Sequence, residues 1–383
     1  MVRMEIGDPK ARQAGCHEEG GREEEVEGEE SIFSPQINSP PHIFIYSPPP
    51  KLNNPLRIMS ASSLPGDHLT SLLASGTVVS ADTTDIAALE RLKPQDTTTN
   101  PTMINASRNL PEYEALARES ASTTSDVSSA MYQLAVGVGL QLMSRVPGYV
   151  STEVDARDSF DTEATVARAL DIVKLYEEKG IDAKKRLLLK VAGTWEGIQA
   201  AKQLEEMGYG TNVTLVFGLA QAVAAAQAKC TLISPFVGRM LDWHKKARGV
   251  DAIPVQEDPG VLSVRTIQKI YRDNGWKTIC MGASFRSADE VRALAGVDRL
   301  TVAPKLLDEL KATEGSIPPF FKDGEGISAI PAWAQPGAPP LRESEFRYHL
   351  NADACATEKL AEGIRMFAKD TDELEAFMTS LQK

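Results

Sequence analysis

Between Thr77 and Pro304 the chain alternates two kinds of hydrophobic spacing. Apolar runs six to eight residues long are separated by longer segments whose apolar residues recur every three or four positions. The runs are "TVVSADT" (77–83), "TTTNPTMI" (97–104), "YVSTEVDA" (149–156), "RLLLKVAG" (186–193), "TNVTLVF" (211–217), "TLISPFVG" (231–238), "TICMGASF" (278–285) and "RLTVAP" (299–304). Short apolar or alternating runs read as strands, and 3.6-residue spacing reads as amphipathic helix. The helical segments "EATVARALDIVKLYEEKG" and "TWEGIQAAKQLEEMG" each close on a glycine, Gly180 and Gly208, suited to the left-handed residue that ends a helix. Eight strand and helix repeats over about 228 residues predict an α/β fold, a (β/α)8 TIM barrel. An open doubly wound sheet is the alternative, but no GxGxxG follows an early strand.

Beyond Pro304 a proline-rich irregular stretch leads to two closing helices, placing extra C-terminal helices within residues 305–383. Leu360, Ile364 and Phe367 share a face of one, and Leu374, Phe377 and Leu381 a face of the other. Packing onto the barrel is the expectation; a cover over the active site is its rival.

Composition changes the picture mainly at the amino terminus. Residues 1–30 hold ten acids against four bases, half of the chain's net charge of −12, and Pro35, Pro40, Pro41, Pro48, Pro49, Pro50 and Pro55 follow. Such a segment buries too little apolar surface to fold, so residues 1–58 are expected to be a disordered N-terminal extension and 59–383 the working domain. Met59 is a candidate start; a regulatory tail is the rival reading. An acidic chain without Lys/Arg blocks lacks the footprint of a nucleic-acid binder. No apolar run approaches the roughly 20 residues that span a bilayer, so no membrane partner is expected. Cys16, Cys230, Cys280 and Cys355 have neither metal spacing nor the density of a disulfide framework. A reducing, cytoplasmic location fits them.

Barrels place their chemistry at the carboxyl ends of the strands. Polar residues gather there: Asp82, Asn100, Glu153, Lys190, Asn212 with Thr214, Ser234, then Ser284 and Arg286, with Arg239 just after the sixth run. Side chains alternate faces along a strand, so Lys190 shares a face with Leu188 and Ala192, while Leu187, Leu189 and Val191 take the other. Lys190 therefore points into the barrel, as do Asn212 and Thr214. Each residue has a plainer role available. Asn100 before a proline suits a turn cap, Glu153 and Asp155 suit ion pairs with Lys190 or Arg157, and Arg286 suits a helix end. Together, a buried lysine, two inward carboxylates and two arginines would leave costly unpaired charge unless a ligand uses them.

Loss of hydration disfavours the charged form of a lysine, and the free amine attacks a carbonyl to form a Schiff base. Cleaving the adjacent carbon–carbon bond also needs a base for a substrate hydroxyl, and Asp82 and Glu153 are both candidates. Arginines at the rim suit a phosphate. The strand region has no histidine cluster, and His244 reads as a surface residue. The expected route uses no metal and no cofactor.

These strands resemble the classical, long-form transaldolases. "DTTTNPTMI" is similar to that family's DATTNPS signature and "LLLKVAGTWEGI" to its Schiff-base lysine signature; "STEVDAR", "ISPFVGRMLDW", "EDPGV" and "MGASFR" match further blocks. The resemblance runs from about Gly76 to the C-terminus. It implies a (β/α)8 barrel, a homodimer, and transfer of a dihydroxyacetone unit from sedoheptulose 7-phosphate to glyceraldehyde 3-phosphate, giving erythrose 4-phosphate and fructose 6-phosphate. It also implies that Lys190 forms the Schiff base, Asp82 exchanges a proton with the C4 hydroxyl, and Glu153 with Thr214 holds a catalytic water. Asn100, Asn212 and Ser234 would bind the dihydroxyacetone portion, and Arg239, Ser284 and Arg286 the phosphate. Phe236 stands where related fructose 6-phosphate aldolases tend to carry Tyr, which favours transfer over release of free dihydroxyacetone. Departures from the family pattern are Thr97 for alanine, Gly193 for alanine or serine, and Gly218 for serine. A lyase releasing dihydroxyacetone and a catalytically silent barrel are the rival functions.

Overall fold

The computed structural model describes residues 66–318 and 327–383. The N-terminal extension and the candidate start at Met59 lie outside the described residues. Eight parallel strands close into a barrel in chain order: β1 (Val78–Asp82), β2 (Asp96–Thr98), β3 (Val150–Glu153), β4 (Leu187–Ala192), β5 (Thr211–Val216), β6 (Leu232–Pro235), β7 (Ile279–Gly282) and β8 (Arg299–Val302). β8 pairs back onto β1, which closes the ring.

The predicted parity is the one that forms. Leu187, Leu189 and Val191 join the large cluster beneath the surrounding helices, whereas Leu188 packs with Leu232 and Met281 in a small separate cluster. Helices start where short polar side chains accept a backbone N–H: Asp85, Asp126, Asp161, Thr194 and Ser287 each cap one. Gly180 and Gly208 adopt φ of 80° and 89° just beyond the helices they end.

Two expectations need correction. The run 97–104 is strand only as far as Thr98; Asn100 caps a new helix, Pro101–Ser107, with proline at its first position, where a missing N–H costs nothing. The two closing segments are one 28-residue helix, Ala354–Leu381, preceded by a shorter one, Glu343–Ala352. Asp370, Thr371 and Asp372 resemble a new cap in sequence, but no glycine or proline breaks the helix there, and Thr371 bonds back to the Phe367 carbonyl at 2.9 Å.

The long helix lies at the carboxyl-terminal end of the barrel strands. Cys355, Ala356, Leu360, Ile364 and Phe367 pack on Ala192, Leu215, Phe217, Phe236 and Ala283, which follow or end β4 to β7. Polar contacts fix its outer half: Arg157 pairs with Asp372 at 3.1 Å and Glu375 at 2.6 Å, and Asn105 donates to Glu373 at 2.9 Å. Packing and cover are therefore one role.

Gly218, a departure from the family pattern, has a local reason. A Cβ there would meet the Ala356 Cβ at 2.8 Å, so glycine lets the long helix approach the end of β5. A Cβ at Gly193 would likewise press on Gln221 at 2.8 Å. That fully buried glutamine donates to the Gly193 and Leu215 carbonyls and accepts from Phe217 and Gly218.

Candidate active site

Register brings the inward residues of adjacent strands together: Glu153 lies beside Lys190, and Lys190 beside Asn212. The Lys190 ammonium lies 3.0 Å from Glu153 Oε2 and donates to the Thr99 carbonyl at 3.0 Å, and both charged side chains are only 5 % exposed. The surroundings of the lysine are thus less apolar than its leucine run suggests. Burial pushes the Glu153 carboxyl above its ordinary range, although Lys190 opposes the shift. Asp82, at the end of β1, is raised for the same reason against the pull of Lys190, Thr98 and Arg239. Thr98 donates to Asp82 Oδ1 at 2.8 Å and is itself 3.2 Å from the Thr301 hydroxyl.

A second chain of hydrogen bonds crosses the barrel. Ser234 donates to Asn212 Oδ1 at 2.7 Å, and Asn212 Nδ2 donates to Ser151 at 3.1 Å. Ser151, Asn212 and Ser234 are all buried. Thr214 Oγ1 is also buried but has no hydrogen-bond partner among the described residues, and Glu153 Oε2 has the ammonium close by without an aligned hydrogen bond. Buried polar groups normally find partners, so such atoms mark places where a small polar molecule binds. Asn100 spends its side-chain oxygen on the Met103 N–H at 2.9 Å, the capping role, and keeps its amide donors.

At the rim the two arginines differ. Arg239 sits in the first turn of the helix Val237–Arg248, its guanidinium 5.1 Å from the Phe236 ring centre and 6.0 Å from that of Phe367. Among the described residues it makes no ion pair. Burial and the neighbouring Arg286 lower its pKa. Arg286 is exposed and already held by Asp242 Oδ2, at 2.9 Å from Nε and 2.8 Å from Nη2. Ser284, between them in the chain, has φ of 59°, a left-handed conformation unusual for serine and a form of strain that collects at binding sites. Phe236 packs edge-on against Phe217 at 5.5 Å.

The site therefore gathers Lys190, Glu153, Asn212, Thr214 and Ser234 on the barrel interior, with Asp82 at the end of β1 and Arg239 within electrostatic reach of both carboxylates. Asp155 is not part of it: it pairs with Arg157 at 2.7 Å. His244 lies half-buried on the helix Val237–Arg248, its ring 4.9 Å from that of Trp243. Ser151, Thr98 and Asp242 escaped the sequence reading. The first two share the inward parity of Glu153 and Asp82, and the third lies one helical turn beyond Arg239, so each carried a positional signal. Among the described residues, no three His, Cys, Asp or Glu side chains cluster as metal ligands, and no helix is long and apolar enough to cross a membrane.

The sequence profile described as transaldolase/fructose-6-phosphate aldolase matches residues 79–378. The chain belongs to that family. A transaldolase of Saccharomyces cerevisiae is 49% identical over 313 residues, covering 79% of this chain and 92% of the yeast protein. Transaldolases of Rhizobium rhizogenes and Alteromonas mediterranea are 50% and 48% identical, covering 80% and 81% of this chain and 95% and 97% of their own lengths. The family's description names two enzymes, so this member is an enzyme. Both halves of the barrel fall within the matched region, Lys190 and every other residue of the site included.

Proposed function

We propose that the chain is a transaldolase working through a Schiff base on Lys190. It would move a dihydroxyacetone unit from sedoheptulose 7-phosphate to glyceraldehyde 3-phosphate, leaving erythrose 4-phosphate and fructose 6-phosphate. The observation that carries the reading is a buried lysine on an inward strand position with a carboxylate of raised pKa 3.0 Å away. Glu153 accepts a proton from the Lys190 ammonium, freeing the amine to attack the ketose carbonyl. The resulting iminium draws electrons from the neighbouring carbon–carbon bond. Asp82, half-buried at the strand end, takes the proton of the C4 hydroxyl as that bond breaks, and returns it to the acceptor aldehyde when the new bond forms. Asn100, Asn212 and Ser234 hold the three-carbon unit, and Thr214 with Glu153 positions the water of Schiff-base chemistry. Arg239, with donors left for a ligand, is the principal phosphate contact, and Arg286 and Ser284 complete that site. Phe236 offers no hydroxyl to a water near the three-carbon intermediate, which favours transfer over release. The family resemblance also carries a homodimer in the cytoplasm, which sedimentation and fractionation would test.

Borohydride reduction in the presence of fructose 6-phosphate, followed by peptide mass spectrometry, is the deciding experiment. A stable adduct on Lys190, absent in Lys190→Ala, is expected; no adduct on Lys190 would overturn the mechanism. Free dihydroxyacetone formed without an acceptor, at a rate matching transfer, would make the chain an aldolase instead.

A further inference from the structure

Beside Glu153 and Asn100 lies a cavity of about 50 Å³ under the outer half of the long C-terminal helix. Its walls include Ile104, Met131, Ala135 and Leu374, while Glu153 and Tyr132 supply polar groups. A cavity that size holds a few waters, since each needs roughly 10–15 Å³ of such space. The Tyr132 hydroxyl is buried without a well-formed hydrogen bond among the described residues, although the Asp155 backbone N–H approaches it. Its ring is fixed by the Arg168 guanidinium 5.7 Å from the ring centre. Glu153 thus faces Lys190 on one side and this cavity on the other.

Schiff-base formation must dispose of a water. The Lys190 ammonium gives one proton to Glu153, and the amine nitrogen bonds to C2 while the carbonyl oxygen takes a second proton from that nitrogen. The C2–O bond then breaks, Glu153 returns the first proton to the departing hydroxyl, and the nitrogen lone pair completes the iminium. Both hydrogens of the released water come from the ammonium, and hydrolysis reverses every step. While this happens, the phosphate of the ketose fills the rim at Arg239, and the long helix packs over that end of the barrel. The water needs another way out.

We propose that the lateral cavity is the route by which this water leaves and returns, and that Tyr132 is a positioning residue for it. The proposal rests on the Schiff-base reading above. Ala135 is a partly exposed part of the wall, and on the proposed route water passes between cavity and solvent beside this small side chain.

The test incubates the enzyme with fructose 6-phosphate in 18O-water without an acceptor. Label entering the C2 oxygen is counted per Schiff-base turnover, with borohydride trapping giving the adduct level. Wild-type enzyme exchanges oxygen each time the adduct reverses. In Ala135→Leu the same water returns, so exchange per turnover falls about tenfold, near 1.4 kcal/mol, while the trapped fraction holds. Tyr132→Phe, which preserves packing, loses about threefold and decides the matter if the leucine variant fails to fold. Wild-type exchange in both variants, with normal trapping, would overturn the route and leave the Schiff base standing. Absence of any wild-type adduct would remove both.

Discussion

Glu290 offers a sharp test of how burial and charge are balanced near the barrel rim that carries Arg286. It is 1% exposed, and its Oε2 accepts the backbone N–H groups of Arg286 at 2.5 Å and Ser287 at 3.2 Å, which fixes the loop that carries Arg286. Its other oxygen accepts no hydrogen bond among the described residues, but when Glu290 is protonated its carboxyl group bonds to Asp258, which is equally buried and caps the neighbouring helix Pro259–Asp273. Burial, with the Asp258 charge adding to it, raises Glu290 from an ordinary 4.5 to about 7 against the pull of those N–H groups. Asp258 is raised too, by burial first and more weakly by Asp242. Because the folded pKa lies above the unfolded one, the folded state holds more protons between pH 4.5 and about 7, and stability falls as pH rises through that window. At about 1.4 kcal/mol per pH unit the interval is worth roughly 3 kcal/mol.

Glu290→Gln keeps an acceptor for the two N–H groups and removes the charge. Urea unfolding followed by circular dichroism, at pH 5, 6, 7 and 8 in wild type and variant, reads Glu290 together with the Asp258 that faces it, because every other carboxylate is common to both. The variant should match wild type near pH 5 and gain up to about 3 kcal/mol over it by pH 8. A difference that stays flat with pH, or a variant less stable than wild type at pH 8, would refute the reasoning.

Three further outcomes follow from the geometry. Arg239→Ala should raise the Michaelis constant for phosphorylated donors about 30-fold or more, against a few-fold for Arg286→Ala, since Arg286 already spends donors on Asp242 while Arg239 has its donors for the ligand; steady-state kinetics with both variants checks the order. Gly218→Ser, which restores the family's commoner residue, should cost about 1–3 kcal/mol in urea unfolding by pressing on Ala356. Thr97→Ala removes a hydroxyl that donates to the Ala81 carbonyl at 2.9 Å beside Asp82, so about 1 kcal/mol of stability should go while turnover persists.

The sequence carried most of the barrel because each strand is an apolar run between helices, and strand parity oriented Lys190 correctly before any contact was known. It could not carry what depends on distant partners. Lys190 meets the Thr99 carbonyl 91 residues away, and Asn212 meets Ser151 61 residues away. Asp258 and Glu290, 32 residues apart in the chain, carry no sequence signal that they meet. The two apolar stripes read as two closing helices, and the structure joins them in one helix, Ala354–Leu381. Arg286 had a helix-end role open to it, and the pairing that constrains it, with Asp242, comes from another helix.

Among the described residues the barrel interior contains two buried ion pairs, and comparing them shows what separates a structural charge from a chemical one. Asp96 on β2 pairs with Arg299 on β8, and its other oxygen accepts the Tyr149 N–H at 2.6 Å. Both oxygens are used, and the pair lies at the strand starts, away from the site. A pair of this kind adds little net stability, because desolvation offsets the attraction, but losing either partner strands a charge. Lys190 and Glu153 form the same kind of pair at the strand ends, separated from the first by the Leu188, Leu232 and Met281 layer. Here Glu153 Oε2 lacks an aligned donor, Thr214 Oγ1 is unpartnered, and Arg239 has no counter-ion among the described residues. Desolvation is incurred in both places, yet only in the lower pair are both carboxylate oxygens satisfied within the chain, Arg299 Nε alone being left without a partner among the described residues. The upper one retains hydrogen-bonding capacity for a carbonyl, a water and a phosphate, and that incompleteness, more than the charge itself, marks it as the site of chemistry.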